Sequence, residues 1–297
     1  MNNIKRCNEC NTKPVFLGLC KKHFIGHIEN RVKDTIKKYS LLNKKKRVAV
    51  AVSGGKDSLS CLNMLNKFRY APEAIIIDEG ISGYREITLE WLKDFCKREN
   101  IVLKVISFKE EFGFTLDEII EKYNLKPCSV CGILRRYLLN KYSRKYDVIA
   151  TAHNLDDEAQ AVLMNLLRNS MQMLARQGPV SGYRIHKKFT KRVKPLYFCS
   201  EKEIFIYSFL LKLKSGFVEC PYVKDSFRAK VRDFLNAYED IHKGTKLNII
   251  NSFLDISERL RPLNTNKEIP LCSNCGQPSS NKLCNTCLLL KKFKSED

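Results

Sequence analysis

The sequence lacks any apolar run that approaches the ~20 residues needed to span a bilayer. Its first residues, MNNIKRCNEC, lack the apolar segment of a secretory signal. Acidic residues are scarce, because 32 Asp and Glu face 53 Lys and Arg and leave a net charge of +21. We therefore expect a cytoplasmic protein with no membrane partner. The charge predicts a nucleic-acid partner, although a lysine-rich bias that serves only solubility is the alternative.

The chain also lacks a Walker phosphate loop, since the G-x-x-x-x-G-K-[ST] spacing is absent. In its place SGGKDS, residues 53–58, follows the β-branched run VAVAV. Two glycines let backbone amides approach an anion closely, a helix N-terminus adds a favourable dipole, and Lys56 adds a positive charge. A glycine-rich turn with a capping Ser or Asp is the alternative. The complete hexapeptide after a strand favours a phosphate-binding loop.

Strand and helix patterns alternate through the middle of the chain. Apolar strands are predicted at 47–52, 74–78, 101–107 and 147–151, with helices at 59–68, 87–99, 116–123, 133–142 and 156–168. This order predicts an α/β fold with a doubly wound parallel sheet, which binds ligands at the carboxyl ends of its strands. We expect three domains: a zinc module at 1–30, a catalytic domain at 31–267 and a second zinc module at 268–297.

Cysteine is abundant, with 13 residues, and clustered cysteines in a reducing compartment are typical of metal binding or catalysis. The paired spacing at both ends predicts two closed, structural zinc sites that serve folding and RNA presentation. His27 is the alternative to His23 in the first site. The predicted ligands are Cys7, Cys10, Cys20 and His23 at the head, and Cys272, Cys275, Cys284 and Cys287 at the tail.

A third group of cysteines fits neither module. Cys128 and Cys131 form a C-x-x-C pair before a basic helix, and Cys220 precedes a proline far downstream. Three thiolates can hold three irons of a [4Fe–4S] cluster and leave the fourth open to sulfide. A three-cysteine zinc site or a persulfide-carrying pair would show the same residues. The remaining cysteines, Cys61, Cys96 and Cys199, are predicted to be small buried hydrophobes.

SGGKDS after VAVAV, together with ATAHNLDDEA at 150–159, resembles the PP-loop of the N-type ATP pyrophosphatases. The resemblance implies ATP binding, cleavage between the α and β phosphates, and an adenylated substrate. It implies catalytic roles for Lys56 and Asp157. Asp157 is the first candidate for Mg²⁺, and Asp156 is the second unless it caps the following helix. The implied ATP-binding residues are Ala51, Ser53, Gly54, Gly55, Lys56, Asp57, Ser58, Asp78, Thr151, His153 and Asp157.

The PP-loop, the C-x-x-C pair, the distant Cys-Pro and the two zinc modules together resemble the tRNA 2-thiolation enzymes of the TtuA and NcsA group, over nearly the whole chain. The resemblance implies that Cys128, Cys131 and Cys220 are catalytic and hold a [4Fe–4S] cluster. It implies a tRNA substrate, a sulfur donor that is free sulfide or a ubiquitin-like carrier, and a possible homodimer. Position 34 or 54 of tRNA is the implied target. The many Asn and Cys residues are unlike a heat-adapted protein and favour position 34.

Basic clusters and nearby aromatics predict a tRNA-binding surface, in which cations neutralise phosphates and rings stack on bases. Two other classes of protein remain as alternatives: a PP-loop tRNA enzyme of the lysidine-synthetase kind, which needs no cluster, and a zinc-ribbon RNA-binding protein without ATP chemistry. The basic clusters are Lys44–Arg47, Arg135–Arg136, Lys187–Lys188, Lys191–Arg192 and Lys291–Lys292, and the aromatics are Tyr137, Tyr142, Tyr183 and Phe189.

Overall fold

The computed structural model describes residues 6–181, 189–214, 220–223, 227–260 and 269–295. The strands are β1 (Val48–Val52), β2 (Glu73–Asp78), β3 (Leu103–Ser107), β4 (Val148–Thr151), β5 (Val180–Ser181) and β6 (Lys191–Val193). The helices are α1 (Lys21–Lys38), α2 (Lys56–Lys67), α3 (Arg85–Arg98), α4 (Phe108–Phe112), α5 (Leu116–Tyr123), α6 (Pro127–Ser143), α7 (Leu155–Leu167), α8 (Met171–Leu174), α9 (Glu201–Leu210), α10 (Phe227–Ile241), α11 (Thr245–Leu260) and α12 (Asn285–Ser295). Within those ranges, no helix combines the length and apolar character that crossing a membrane requires.

The six strands form one sheet in the order β3-β2-β1-β4-β6-β5. All neighbours are parallel except β5, which pairs antiparallel with β6. The strand order reverses between β1 and β4, and a crevice opens at the carboxyl ends of two strands at such a point. The predicted doubly wound α/β fold is confirmed. The antiparallel edge strand is an addition that the sequence pattern did not predict.

Helices cover both faces of this sheet. Val50 of β1 belongs to a core shared with α1, α2, α3 and α9, whereas the preceding Ala49 belongs to a core shared with α5, α6 and α12. Burial on both faces explains why β1 and β2 are almost continuously apolar. A third core joins α7, α8, α10 and α11 beside the sheet.

The head and the tail both pack on the central domain. Helix α1 begins directly after Cys20 and runs through position 30, where the sequence suggested a domain boundary. In the tail, the fully buried ring of Phe293 stacks on Tyr123 at 4.5 Å between centroids and meets Phe114 edge-on at 5.5 Å. The Tyr123 hydroxyl donates to the Phe293 carbonyl at 2.9 Å. The tail is therefore anchored on α5 and α6.

Candidate active site and metal-binding clusters

The phosphate loop joins β1 to α2 at the crevice. Gly54 has φ of +84°, and a Cβ there would lie 2.8 Å from the Thr88 side chain and carbonyl oxygen, so the position requires glycine. Ser58 Oγ donates to the Gly55 carbonyl at 2.9 Å and accepts from the Ser53 amide at 3.2 Å. Gly55 occupies the N-cap of α2 without a side-chain cap. The first-turn amides are therefore available to an anion.

A cavity of about 260 Å³ opens beside this loop, between the carboxyl ends of β1 and β4. Lys56 and Asp78 are not among its described lining residues. The Lys56 ammonium pairs with Asp57 at 3.0 Å and with Glu201 at 2.8 Å. Asp78 accepts from the Gly80 amide at 2.9 Å, in the turn after β2. The expected ATP-site residues that do line the cavity are Ala51, Ser53, Asp57, Ser58, Thr151, His153 and Asp157.

Two carboxylates, Asp57 and Asp157, face this cavity together. Burial raises the pKa of Asp57 although Lys56 opposes the shift, and the charge of Asp157 raises it further. Burial likewise raises the pKa of Asp157 although Arg228 lies 2.8 Å away. Two half-buried carboxylates that repel each other favour a shared cation, and oxygen is the ligand that Mg²⁺ prefers. The pair is therefore suited to a magnesium ion beside the phosphates.

The capping of α7 differs from one expectation. Asn154, not Asp156, is the N-cap, and it forms a reciprocal capping box with Asp157. Asp156 instead accepts from the buried Lys246 ammonium and from the Glu201 amide. Since both oxygens of Asp156 have protein partners in α9 and α11, its interactions are structural.

His153 lies in the cavity with its ring open to it. The surrounding protein desolvates the imidazole and, together with the charge of Lys194, lowers its pKa to about 4. Its Nδ1 lies 3.0 Å from the Thr151 hydroxyl. His153 is therefore neutral near pH 7 and offers a hydrogen bond rather than a charge to a ligand.

A buried ion-pair network beside the cavity was missed by the sequence analysis. Glu79, only 1% exposed, pairs with Arg85 from α3 and lies 3.5 Å from Arg135 of α6. Arg85 also donates to the Ser53 carbonyl at 2.9 Å. Glu79 therefore connects the phosphate loop to α6. The only sequence signal was a second carboxylate, after Asp78, at the end of an apolar strand.

Helix α6 carries two of the three remaining cysteines. It begins at Pro127, earlier than predicted, so Cys128 and Cys131 lie within its first five residues. Cys128 Sγ lies 3.3 Å from the Tyr222 carbonyl, which follows Cys220 by two residues. The thiols are close enough for charge on one to raise the pKa of another, and burial is the main cause that raises the pKa of Cys131 to about 12. The structure thus brings Cys128, Cys131 and Cys220 together.

The spacing of these three sulfur atoms is wider than a zinc site needs. Zinc–sulfur bonds of about 2.3 Å place tetrahedral ligands ~3.8 Å apart. Among the described residues, only two groups have all ligand atoms within 4.8 Å of one another, and Cys128, Cys131 and Cys220 form neither. A larger [4Fe–4S] cluster, which three thiolates can hold, fits this arrangement better than one zinc ion.

Those two groups are the predicted zinc ligands of the head and the tail. Cys10 Sγ and Cys20 Sγ are 3.7 Å apart, as are Cys275 Sγ and Cys284 Sγ, which is close to the edge of a zinc tetrahedron. His23 completes the head group. His27 instead lies 2.7 Å from Arg31. The convergence is as expected, and zinc occupancy itself remains a prediction.

Hydrogen bonds lower the pKa of Cys7 in the head group and of Cys272 in the tail group, whereas burial raises the pKa of Cys275 and of Cys287 in the tail group. Burial disfavours the thiolate of Cys272, but backbone amides, including that of Cys284 at 3.2 Å, outweigh burial and lower its pKa to about 6. Cys7 follows the same pattern with His23 and the Cys20 amide, and its pKa is also about 6. Since zinc binds thiolate, these bonds favour the metal-binding form.

Three other cysteines are in the core, as predicted. Cys61, Cys96 and Cys199 are at most 2% exposed, and burial raises their pKa values to about 12, 11 and 12. A thiol that stays protonated and buried is chemically inert.

The predicted RNA surface stays a prediction, and the structure shows only the exposure and contacts of some of its residues. The cluster Lys44–Arg47 is exposed, whereas Lys187, Lys188 and Tyr183 lie outside the described residues. Tyr142 donates to Glu111, so its ring is already engaged by the protein. Tyr137 packs in the core that α6 shares with the tail, and burial raises its pKa to about 12.

Comparisons with known proteins identify the family of this chain. The family model of the PP-loop domain matches residues 25–236. The tRNA-5-methyluridine(54) 2-sulfurtransferase of Pyrococcus horikoshii is 39% identical over 91% of this chain and 86% of its own length. The cytoplasmic tRNA 2-thiolation protein 1 of Danio rerio is 33% identical over 96% of this chain and 88% of its own.

A solved structure gives the same result. The U34-tRNA thiolase NcsA of Methanococcus maripaludis, determined with its [4Fe–4S] cluster, superposes with a TM-score of 0.80 at 34% identity and covers 95% of both chains. The chain belongs to the PP-loop family. Within it, the chain belongs to the group that includes the named tRNA 2-thiolation sulfurtransferases, and the predicted resemblance is confirmed.

The Glu79 network yields a stability prediction. Glu79→Gln removes one charge from a buried pair and leaves Arg85 uncompensated, so we expect the free energy of unfolding to fall by about 3–5 kcal/mol. The control is Glu118→Gln, which breaks an exposed pair with Lys109 and should cost less than about 1 kcal/mol. Urea unfolding measures both. Equal effects of the two substitutions would show that Glu79 does not hold the network together.

Proposed function

We propose that this chain is a tRNA 2-thiouridine synthetase, which adenylates a uridine O2 with ATP and then replaces the adenylate with sulfur. The observation that carries the proposal is the placement of two sites. A phosphate loop with a paired-carboxylate cavity and a three-thiol site are joined through Glu79, Arg85 and Arg135. The relatives' names support the same reaction class, thiolation of tRNA.

The adenylation step follows from the loop. The amides of Gly54 to Asp57 and the Lys56 ammonium bind the ATP phosphates. Lys56 gives up its ion pair with Glu201 to make this contact. Asp57 and Asp157 would hold Mg²⁺, and Asp157 would then give up its ion pair with Arg228. Uridine O2 attacks the α phosphorus, the bond to the β-phosphate oxygen breaks, and pyrophosphate leaves. The fixed amides and Lys56 offset the charge that develops on the phosphorus oxygens.

The second step replaces oxygen with sulfur at C2 of the base. Cys128, Cys131 and Cys220 would hold a [4Fe–4S] cluster, which would supply a binding place for the incoming sulfide. Adenylation has made O2 a good leaving group. AMP departs with the original uridine oxygen as the C2–sulfur bond forms.

The tRNA position, the sulfur donor, the assembly and the cellular location are also proposals. The composition favours position 34, while the relatives include proteins named for position 54 and for U34. The sulfur donor is free sulfide or a ubiquitin-like carrier, and a homodimer is the proposed assembly. A cytoplasmic location is proposed because the Danio rerio relative is named as cytoplasmic.

The function is tested by incubating anaerobically purified protein with unmodified tRNA, Mg-ATP and sulfide, and mapping thionucleosides by mass spectrometry. We expect 2-thiouridine at position 34, formed only with ATP, and position 54 would correct the site alone. Lys56→Ala should lower the rate by at least about 100-fold because the phosphates lose their charged partner. Lys93→Ala, at an exposed position of α3, is the control. Normal thiolation by Lys56→Ala, or none by the wild type with its cluster present and both sulfur donors supplied, contradicts the proposal.

The metal content tests the cysteine assignments. Anaerobic protein should contain two zinc ions, four irons and four acid-labile sulfides per chain, because it has two four-ligand zinc sites and one cluster site. Cys220→Ala should lose iron and keep both zinc ions. Cys199→Ala, at a buried thiol outside the three groups, should keep all metals. Iron retained at the wild-type level by Cys220→Ala would remove Cys220 from the cluster.

A further inference from the structure

A second large cavity lies at the amino ends of the parallel strands, on the opposite side of the sheet from the phosphate loop. It has a volume of about 940 Å³, and we call it the basic cavity. Its walls include Lys44 and Lys46 just before β1, Val148 at the start of β4, and Lys191 at the start of β6. These are the amino ends of parallel strands, whereas the phosphate loop follows the carboxyl end of β1. The amino and carboxyl ends of a five-residue strand are about 17 Å apart.

The charge of the basic cavity is one-sided. Seven cationic side chains line it, and Asp147 is the one carboxylate among its described lining residues. Lys46 pairs with Asp147 at 3.7 Å, and Lys67 pairs with Glu29 at 2.7 Å. The other five cations face no carboxylate within 4.0 Å among the residues that the structure describes: Lys33, Lys37, Lys44, Arg69 and Lys191. A concave surface with this surplus attracts a polyanion.

The floor of the basic cavity is apolar and aromatic. Phe68 and Tyr70 are half-buried in it, and Lys33 lies over the Phe68 ring at 4.9 Å. Lys191 reaches over this floor to the Ser40 carbonyl at 2.9 Å, and partial burial lowers its pKa. Cations around an aromatic floor are the features with which proteins hold unpaired nucleotides, since phosphates meet the cations and bases stack on the rings.

We propose that the basic cavity binds an unpaired stretch of the substrate tRNA, away from the uridine that reacts. The inference rests on the proposed function, because it takes the RNA bound there to be the same molecule that enters the active site. The two ends of the strands are only about 17 Å apart, so one folded tRNA can contact both. The contact adds affinity for the whole tRNA and takes no part in the chemical step.

The test compares two RNAs and two double variants. The RNAs are full-length tRNA and the isolated stem-loop that carries the reacting uridine. Lys37→Glu/Lys44→Glu reverses two cavity charges, and both side chains are exposed, so folding is preserved. The control, Lys93→Glu/Lys243→Glu, makes the same change of net charge at exposed lysines outside the basic cavity.

We expect the cavity variant to bind full-length tRNA about tenfold more weakly than the control and to lower the slope of log K against log salt by roughly two. Its affinity for the stem-loop and its kcat at saturating tRNA should equal those of the control. Equal affinity of the two variants for full-length tRNA would overturn the inference, as would an equal loss with the stem-loop. A wild type that thiolates neither RNA would instead refute the proposed function. The two failures can be told apart, because RNA binding is measured without turnover.

Discussion

A single buried carboxylate holds the active region together. Glu79 lies at the end of β2, is almost completely inaccessible, and meets Arg85 and Arg135 from two different helices. Charges in such a place are stable only when they are paired, since burial removes the water that would otherwise solvate them. Because Arg85 also contacts the Ser53 carbonyl, the position of the phosphate loop depends on the same carboxylate as the position of α6.

The two ends of the parallel strands carry different groups of side chains. At the carboxyl ends of β1 and β4, the two aspartates line a cavity beside the phosphate loop. Arg135, which lines the same cavity, lies on the helix α6 that carries Cys128 and Cys131. At the amino ends, the basic cavity offers charge without candidate catalytic groups. The tail adds a third element, because Phe293 packs beside α5 and α6, the second of which bears Cys128 and Cys131. The predicted zinc module of the tail therefore packs against the helix that carries Cys128 and Cys131.

The sequence predicts the local parts of this arrangement well. The apolar strands, the phosphate loop and both zinc clusters depend on residues close together in the chain, so spacing alone identifies them. Gly54 is an example, because its positive φ and its tight contact with Thr88 both require glycine, which the SGGKDS motif supplies at this position.

Contacts across long sequence separations were not predictable. Glu79 and Arg135 are 56 positions apart, and Lys56 and Glu201 are 145 apart. Helices α10 and α11 carry no motif, yet they supply Arg228 to Asp157 and Lys246 to Asp156. Asn154 and Asp156 can both cap a helix, and the packing of α11 against α7 decides between them. The choice between tRNA positions 34 and 54 likewise depends on how a folded RNA docks, which no local pattern encodes.

The central claim is that ATP activates the uridine oxygen by adenylation, and isotope transfer tests it most directly. A tRNA whose target uridine carries ¹⁸O at C2 would be thiolated, and the released nucleotides and phosphates would be analysed by mass spectrometry. The account predicts one ¹⁸O atom in AMP for each 2-thiouridine formed, because the oxygen that attacks the α phosphorus leaves with it. Unlabelled AMP, or label in orthophosphate, would contradict the account and show that the oxygen leaves by another route.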